Sequence, residues 1–296
     1  MGKSKVYFTK NISGEAVLSL YERLIADRGE ELPMPVAVKL HSGEPGNQNF
    51  LSAEMFSAAI SRVKGTAVEC NTAYEGGRNT TDRHIKTLKS HGFLDAFPCE
   101  ILDAEGPDLV LDIPKGKVIK KNYVGRGLEK YRSLLVLSHF KGHPSGGYGG
   151  ALKQLAIGIA SSYGKAYIHG AGVPEDFWTS DRDMFLASMA DAAGSVIDFF
   201  DGRCLYINVM KNLSVDCDCC SVAKDPCMAD IGILASADPV ALDKACLDLI
   251  YSSEDEGKHQ MIERIESRHG IYTTECARDL GIGSFEYDLI DLDGEK

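Results

Sequence analysis

The alternation of strand-like and helix-like segments is the sequence feature that most limits the fold of this chain. Apolar, β-rich runs each precede an amphipathic segment in which apolar residues recur every three or four positions. These pairs fall at residues 5–8 and 13–27, 36–40 and 52–65, and 66–70 and 81–91. Because a strand–helix–strand repeat folds with its strands parallel, the pattern predicts an α/β protein, with a mostly parallel sheet and helices on both faces.

The alternation continues in the second half of the chain. Residues 133–138 form a continuous apolar run that is typical of a central strand, and strand-like runs recur at 204–209 and 231–235. Helical patterns follow at 151–159, 181–200 and from 238 onward, and a hairpin is predicted for 109–113 with 117–123. Since no linker or repeat interrupts the pattern, we expect a single domain over 1–296, or two closely packed sub-lobes of about 1–130 and 131–296.

Composition excludes several classes of protein. The formal net charge of −11 argues against a nucleic-acid partner, which requires a basic surface. No stretch approaches the roughly 20 apolar residues of a membrane span, and the N-terminus lacks the apolar core of a signal peptide. We therefore expect a soluble cytoplasmic protein without a membrane partner, and its sequence leaves the oligomeric state open. In a reducing compartment the 9 cysteines favour metal or redox chemistry over disulfides.

A histidine- and glycine-rich segment, residues 138–153, joins the central strand to the next helix. His139, Lys141 and His143 alternate, so an extended backbone would direct all three to one side. The glycines, among them Gly149 and Gly150, would let backbone amides approach an anion at the helix start, and Lys153 lies in the first turn. We predict His139, Lys141, His143 and Lys153 as catalytic residues that bind an anion or transfer protons. The glycine spacing fits no dinucleotide fingerprint, so no nucleotide cofactor is indicated.

A second cluster places four thiols in eleven residues, followed by a carboxylate. Its members are Cys217, Cys219, Cys220, Cys227 and Asp230. The spacing matches neither a zinc ribbon nor a bacterial ferredoxin segment, yet the thiols could converge on one soft metal or one iron–sulfur cluster. A redox dithiol pair and reduced structural thiols are the alternatives. We predict that the four cysteines and Asp230 bind a metal.

Four further residues are predicted to bind the ligand. Lys39 ends the second strand, and Arg78 follows the third strand and offers a fork for a carboxylate or phosphate. Asp238 and Asp243 flank the start of the helix after residue 238, where Asp238 is also a helix cap and Asp243 is expected to be half-buried. His84 and His91 are expected on the surface.

The order of these motifs resembles domain-of-unknown-function family 362. The resemblance rests on Lys39, on 71–78, on 139–153 and most specifically on 230–243, and it covers nearly the whole chain. It implies an iron–sulfur centre protein, because members often carry that label, although many contain an inserted two-cluster ferredoxin segment that this chain lacks. The histidine–glycine–lysine arrangement is also distantly similar to the sheet-end motif of nickel-pincer lactate racemases.

Three functions are compatible with these residues. The first is a metal- or iron–sulfur-binding redox protein or enzyme that acts on a small anionic molecule. Its cofactor would be an iron–sulfur cluster or a soft transition metal, and it would exchange electrons with a redox partner protein. The second is a cluster-free racemase- or isomerase-like acid–base enzyme built on His139 and His143. The third is a non-enzymatic metal-binding assembly protein.

Overall fold

The computed structural model describes residues 3–294, which form twelve strands and ten helices within that range. The strands are β1 (Ser4–Thr9), β2 (Val36–Lys39), β3 (Thr66–Glu69), β4 (Cys99–Ile101), β5 (Leu109–Asp112), β6 (Lys121–Val124), β7 (Ser133–His139), β8 (Lys141–His143), β9 (Gly147–Gly149), β10 (Cys204–Met210), β11 (Gly232–Ser236) and β12 (Tyr287–Asp291). The helices are α1 (Gly14–Arg28), α2 (Glu54–Val63), α3 (Thr81–Ser90), α4 (Phe93–Ala96), α5 (Ala151–Ile159), α6 (Ser162–His169), α7 (Arg182–Phe199), α8 (Pro239–Ser252), α9 (Lys258–Ser267) and α10 (Ile271–Asp279).

One eight-stranded sheet, in the order β12-β1-β11-β10-β7-β2-β3-β4, organises the chain. Strand β11 pairs antiparallel with β1 and β10, whereas β10, β7, β2, β3 and β4 pair in parallel. The predicted α/β class with a mostly parallel sheet is confirmed. The possible sub-lobe boundary near residue 130 would divide this sheet. Strand β2 precedes the boundary and is hydrogen-bonded to β7, which follows the boundary.

Helices cover both faces of the sheet because the central strands are apolar on both sides. Along β7, Leu134 and Val136 pack into the cluster that contains α5, α7 and α8. The intervening Leu135 and Leu137 pack into the cluster that contains α1 and α2. This alternation follows from the two-residue period of a strand. No helix within residues 3–294 is long and apolar enough to cross a membrane.

One helix begins later than predicted, and one residue expected on the surface is buried. The helix expected over 52–65 is α2, which begins at Glu54 after Ala53 without a side-chain cap. His84 is fully buried rather than exposed, because its ring contacts Asn71 Oδ1 at 3.3 Å and lies 3.6 Å from Glu69. His91 is half-buried and stacks on Phe50 with 4.2 Å between the ring centroids.

The two hairpins differ in how well the sequence indicates them. Strands β5 and β6 pair antiparallel, as their turn residues suggest. The glycine-rich stretch after β7, in contrast, is a second hairpin in which β8 pairs with β9. This hairpin turns the chain back over the carboxyl end of the sheet, which is where ligands bind in open α/β folds.

Candidate functional site

The site forms at the carboxyl ends of the parallel strands. Lys39 ends β2, Glu69 ends β3 and His139 ends β7, so the topology brings three residues that are distant in sequence to one edge of the sheet. The hairpin β8–β9 and the loop after β10 then cover that edge. The main-chain N–H of Gly142 donates to the Ser214 carbonyl at 2.8 Å and joins these two segments.

Three side chains with metal-ligand chemistry converge where these segments meet. One potential ligand atom from each of His143, Cys217 and Cys219 lies within 4.8 Å of the others. His143 Nε2 is 3.8 Å from Cys219 Sγ. These three residues, named the His–Cys–Cys group below, could hold a metal ion.

The backbone around His143 determines where its proton lies when no metal is bound. The main-chain N–H groups of Ser145 and Gly146 donate to Nδ1 at 3.1 and 2.9 Å. Because Nδ1 accepts, the neutral ring carries its proton on Nε2, which faces the Cys219 thiol. Burial, reinforced by the Lys153 charge, lowers the pKa of His143 to about 4, so the ring is neutral near pH 7.

Asp218, which was not predicted as a site residue, holds the thiol loop in place. The carboxylate accepts from His139 Nδ1 and pairs with Lys141 Nζ, each at 2.9 Å, and all three side chains are buried. Burial alone would raise the pKa of Asp218, but the His139 and Lys141 charges outweigh it and hold that pKa well below its usual range. The thiols of Cys217 and Cys219 point to the His143 side instead.

The predicted four-cysteine site does not assemble. Cys227 Sγ donates to the Leu213 carbonyl at 3.3 Å and does not belong to the His–Cys–Cys group. Asp230 is exposed and accepts from the Asn212 main-chain N–H at 2.7 Å. Neither Cys227 nor Asp230 joins the group, so nearness in sequence does not bring these side chains together. Cys220 is half-buried and lines the cavity described next.

A cavity of about 260 Å³ opens beside the His–Cys–Cys group. Its polar lining includes Lys39, Lys153 and Lys165, together with His143 and Cys219. Phe177 and Trp178 contribute an aromatic part of the lining, and the Trp178 side chain is 75% exposed. A cavity of this size suits a metabolite rather than a larger ligand.

The lysines of the cavity differ in their partners. Lys39 donates to the Leu40 carbonyl, and its ammonium is 3.7 Å from Glu69. Lys165 donates to the Ala160 carbonyl at 2.5 Å. Within residues 3–294, no hydrogen bond or ion pair engages the Lys153 ammonium. Lysines that lack carboxylates at hydrogen-bonding distance favour an anionic ligand.

Arg78 is placed in an internal network rather than left open for a ligand. Its Nε donates to Glu44 at 2.9 Å, and its terminal nitrogens lie 3.3 Å from Tyr74 Oη and 3.6 Å from Glu69. The guanidinium is buried at the wall of the cavity. The guanidinium is thus engaged by Glu44 and Glu69, and its role as a carboxylate fork for the ligand stays a prediction.

The two aspartates predicted to bind the ligand are helix caps. Asp243 is fully buried, and it accepts from the main-chain N–H groups of Ala151 and Leu152 at 2.8 and 3.0 Å. The Asp243 carboxylate therefore accepts from the main-chain N–H groups at the start of α5 that were predicted to bind an anion. A side chain at Gly150 would lie 2.4 Å from Asp243 Oδ1, which accounts for this glycine.

Asp238 lies at the start of α8 and takes no part in the cavity. It accepts from the Val240 and Ala241 main-chain N–H groups at 2.9 and 3.0 Å, and from Ser4 Oγ at 2.7 Å. Gly149, in β9, borders a small second cavity of about 20 Å³ shared with Lys141 and Lys153.

Two residues of α6 that were not predicted from the sequence, Lys165 and His169, also line the main cavity. Burial, with the charge of Lys153 next in effect, lowers the pKa of His169 to about 3. No local pattern distinguishes these residues from the polar face of an ordinary helix. Only the position of α6 against the sheet reveals them.

The fold and site together define an α/β protein with a His–Cys–Cys group beside a lysine-lined cavity at the carboxyl edge of its sheet. The chain belongs to the family described as Domain of unknown function (DUF362), which matches residues 36–248. The family predicted from the sequence is thus confirmed. No curated protein matches the chain.

Two solved structures are similar to this chain at low identity. One is the lactate racemase apoprotein from Thermoanaerobacterium thermosaccharolyticum, with 12% identity and a TM-score of 0.46, covering 82% of this chain and 56% of that one. The other is a protein from Thermotoga maritima, with 11% identity and a TM-score of 0.43, covering 90% of this chain and 59% of that one. The chain thus spans less than two thirds of either protein. Neither likeness says what this chain binds or does.

Proposed function

We propose that this protein is a metal-dependent enzyme that acts on a small anionic molecule. The convergence of His143, Cys217 and Cys219 within 4.8 Å at the wall of a lysine-lined cavity carries the proposal. Thiolate and imidazole ligands favour a soft or borderline transition metal. Three protein ligands leave one tetrahedral position free, which is the arrangement of catalytic rather than structural sites.

The donor set fits a single ion better than an iron–sulfur cluster. Clusters are generally held by four cysteines, and Cys227 lies outside the group. A bound ion would supply Lewis-acid polarisation of a ligand oxygen or activation of a water molecule. The neutral His143 ring carries its proton on Nε2, so ligation through that nitrogen requires the ion to displace the proton, and binding should weaken as the pH falls.

The chain's own residues bind and orient the anion. Lys153, which has no partner in the described part of the chain, is placed to pair with it directly. Lys39 and Lys165 supply two further positive charges to the same cavity. Phe177 and Trp178 add aromatic surface to the same cavity for the apolar part of the ligand.

Metal titration tests the first part of the proposal. Reduced protein freed of metal by a chelator is titrated anaerobically with Co²⁺ or Zn²⁺, and bound metal per chain is measured by elemental analysis. We expect one ion per chain, lost in Cys219→Ser and retained in the matched control Cys227→Ser. Equal binding by the two variants, or no binding by the parent protein, would contradict the proposed site. Iron and sulfide in the anaerobically purified protein would indicate a cluster instead.

Anion binding tests the second part. Trp178 is the one tryptophan of the chain and lines the cavity, so its fluorescence reports occupancy. Sulfate and small carboxylates are titrated against the parent protein, Lys153→Met and the control Lys86→Met, which alters an exposed lysine on α3. We expect Lys153→Met to weaken binding at least tenfold and the control to leave it unchanged. Equal affinities of the parent protein and Lys153→Met for these anions would show that Lys153 does not bind the anion.

A second function, cluster-free acid–base catalysis, is favoured by one observation. The amides of Ser145 and Gly146 direct the Nε2 proton of His143 at Cys219, so the ring can donate a hydrogen bond to a Cys219 thiolate. His139 is not available for this role, since Asp218 and the Lys211 carbonyl occupy both ring nitrogens. Turnover of a candidate substrate by metal-free protein, abolished in His143→Gln, would support this function over the first.

A further inference from the structure

Lys39 is a buried amine in the wall of the cavity. Its side chain is 1% exposed and extends from the end of β2 across helix α5. A Cβ at Gly158 of that helix would lie 2.5 Å from Lys39 Cε. The helix thus has a glycine where the lysine crosses it, and this leaves the amine room beside the cavity.

The positive charge of Lys39 is weakly compensated. Its nearest carboxylate, Glu69, is 3.7 Å away and is shared with Arg78 at 3.6 Å and His84 at 3.6 Å. Lys165 lines the same cavity and bonds to the carbonyl oxygens of Ala160 and Cys70. Arg78 and His84 thus compete with Lys39 for Glu69, and Lys165 adds a further positive charge to the same cavity, an arrangement that favours a neutral amine at Lys39.

We propose that Lys39 is a nucleophile that forms an imine with a small carbonyl compound bearing a carboxylate, such as a 2-oxo acid. The carboxylate pairs with Lys153 and Lys165, and the carbonyl carbon reaches Lys39 Nζ. The amine adds to the carbonyl and water leaves with the carbonyl oxygen and two protons from nitrogen. The C=O bond is replaced by a C=N bond, and no oxidant or reductant is consumed.

The titration of Lys39 is consistent with this role. Burial lowers its pKa to about 8, with Glu69 opposing and Lys165 and Arg78 adding to the effect. A pKa near 8 leaves a larger share of the amine neutral at pH 7 than the ordinary value of 10.5 would. Burial also lowers the pKa of Lys165, whose amine donates to the Ala160 carbonyl at 2.5 Å.

This inference rests on the proposed function for the anion-binding cavity and names its substrate class. It does not require the metal, because no atom of the His–Cys–Cys group takes part in imine formation. The trapping experiment is therefore run on chelator-treated protein and repeated after metal loading, with metal content measured on both samples. Failure of metal binding and failure of imine formation are then separate results.

Borohydride trapping tests the inference. The protein is incubated with pyruvate or glyoxylate at pH 7.5 and treated with sodium borohydride, which reduces an imine to a stable secondary amine. Intact-mass analysis counts adducts, and peptide mapping locates them. We expect one dominant adduct on Lys39, competed by acetate, and at least a tenfold lower yield in Lys39→Arg.

Two controls keep the result interpretable. Gly158→Ala displaces the Lys39 side chain without altering the amine and should lower trapping if the placement matters. If Lys39→Arg does not fold, as judged by circular dichroism, Gly158→Ala takes its place as the test variant. Adducts on Lys165 or on surface lysines in place of Lys39, or no adduct with either compound, would overturn the inference.

Discussion

Removing the carboxylate of Asp218 should destabilise the protein far more than removing a neighbouring carboxylate of the same loop. In Asp218→Asn the Lys141 ammonium, whose side chain is 7% exposed, loses its partner at 2.9 Å. Breaking a buried ion pair on one side costs about 3–5 kcal/mol. Against a total stability of about 5–15 kcal/mol for a typical domain, this is a large fraction.

Asp216 provides the matched control. It lies two residues earlier and pairs with Arg264 at 3.1 Å, but both side chains are partly exposed, at 19% and 14%. Since partly exposed pairs contribute about 1 kcal/mol or less, Asp216→Asn should be mild. Urea titrations followed by circular dichroism give the free energy of unfolding for the parent protein and for each variant.

A double variant separates the buried charge from general damage. Lys141→Met retains the side-chain stem but removes the ammonium, so Asp218→Asn combined with Lys141→Met should recover at least half of the loss. Metal affinity should fall about 10–100-fold in Asp218→Asn, because this carboxylate holds the loop that carries Cys217 and Cys219. Equal costs for the Asp216 and Asp218 variants, or additive losses in the double variant, would refute the reasoning.

Three further outcomes are expected at the caps of α5 and α8. Asp238→Ala should lose about 1–2 kcal/mol in a urea titration and leave anion binding unchanged, because it is a helix cap outside the cavity. Burial raises the pKa of Asp243 to about 6, so the stability from its protonated form is present below about pH 3.8 and lost as pH rises through 6. The stability advantage of the parent protein over Asp243→Asn should therefore grow by roughly 1 kcal/mol from pH 7 to pH 5; a constant difference would contradict that pKa. Gly150→Ala should cost about 1–3 kcal/mol, whereas Gly149→Ala, whose added Cβ would be 3.7 Å from Lys153 Cδ, should be neutral in thermal melts.

The fold was predictable because its signals are local. Ser13 caps α1 by accepting from the Ala16 main-chain N–H at 3.1 Å, and Gly29 ends that helix in the left-handed region at φ 76°. The apolar run of β7 is buried on both faces, as continuous apolar strands are in parallel sheets. The hairpin β8–β9 escaped prediction because its glycines are equally typical of an irregular loop.

The candidate site was predictable only where strand ends locate it. Lys39 and His143 follow from the rule that ligands bind at the carboxyl ends of parallel strands. The cap from Asp243 to the start of α5 spans more than ninety residues, so no local pattern shows that these amides are already occupied. Asp218 was overlooked because a carboxylate in a polar loop ordinarily faces solvent.

A tight turn explains how the segment Cys217-Asp218-Cys219 serves two purposes. Residues 217–220 form this turn, in which the Cys220 main-chain N–H donates to the Cys217 carbonyl at 2.9 Å. Within it the two thiols face His143, and the carboxylate between them faces His139 and Lys141. The main-chain carbonyl of Asp218 also accepts from the Glu44 main-chain N–H at 2.8 Å. This hydrogen bond ties the loop to the segment after β2.

Local charge, rather than the charge of the whole protein, must attract the anion. The chain carries a formal net charge of −11, so at long range it repels an anion. Mobile ions screen that repulsion beyond about 8 Å at physiological ionic strength, whereas charges within a cavity are screened much less. The buried Lys39 and Lys165 and the unpaired Lys153 therefore dominate the potential that a bound anion experiences. Arg78 pairs with Glu44 and Glu69, and Glu69 also lies 3.7 Å from Lys39, so within residues 3–294 Lys153 and Lys165 are the cavity lysines without a carboxylate partner. The acidic exterior limits nonspecific anion binding, and the cavity lysines concentrate the attraction at one place beside the His–Cys–Cys group.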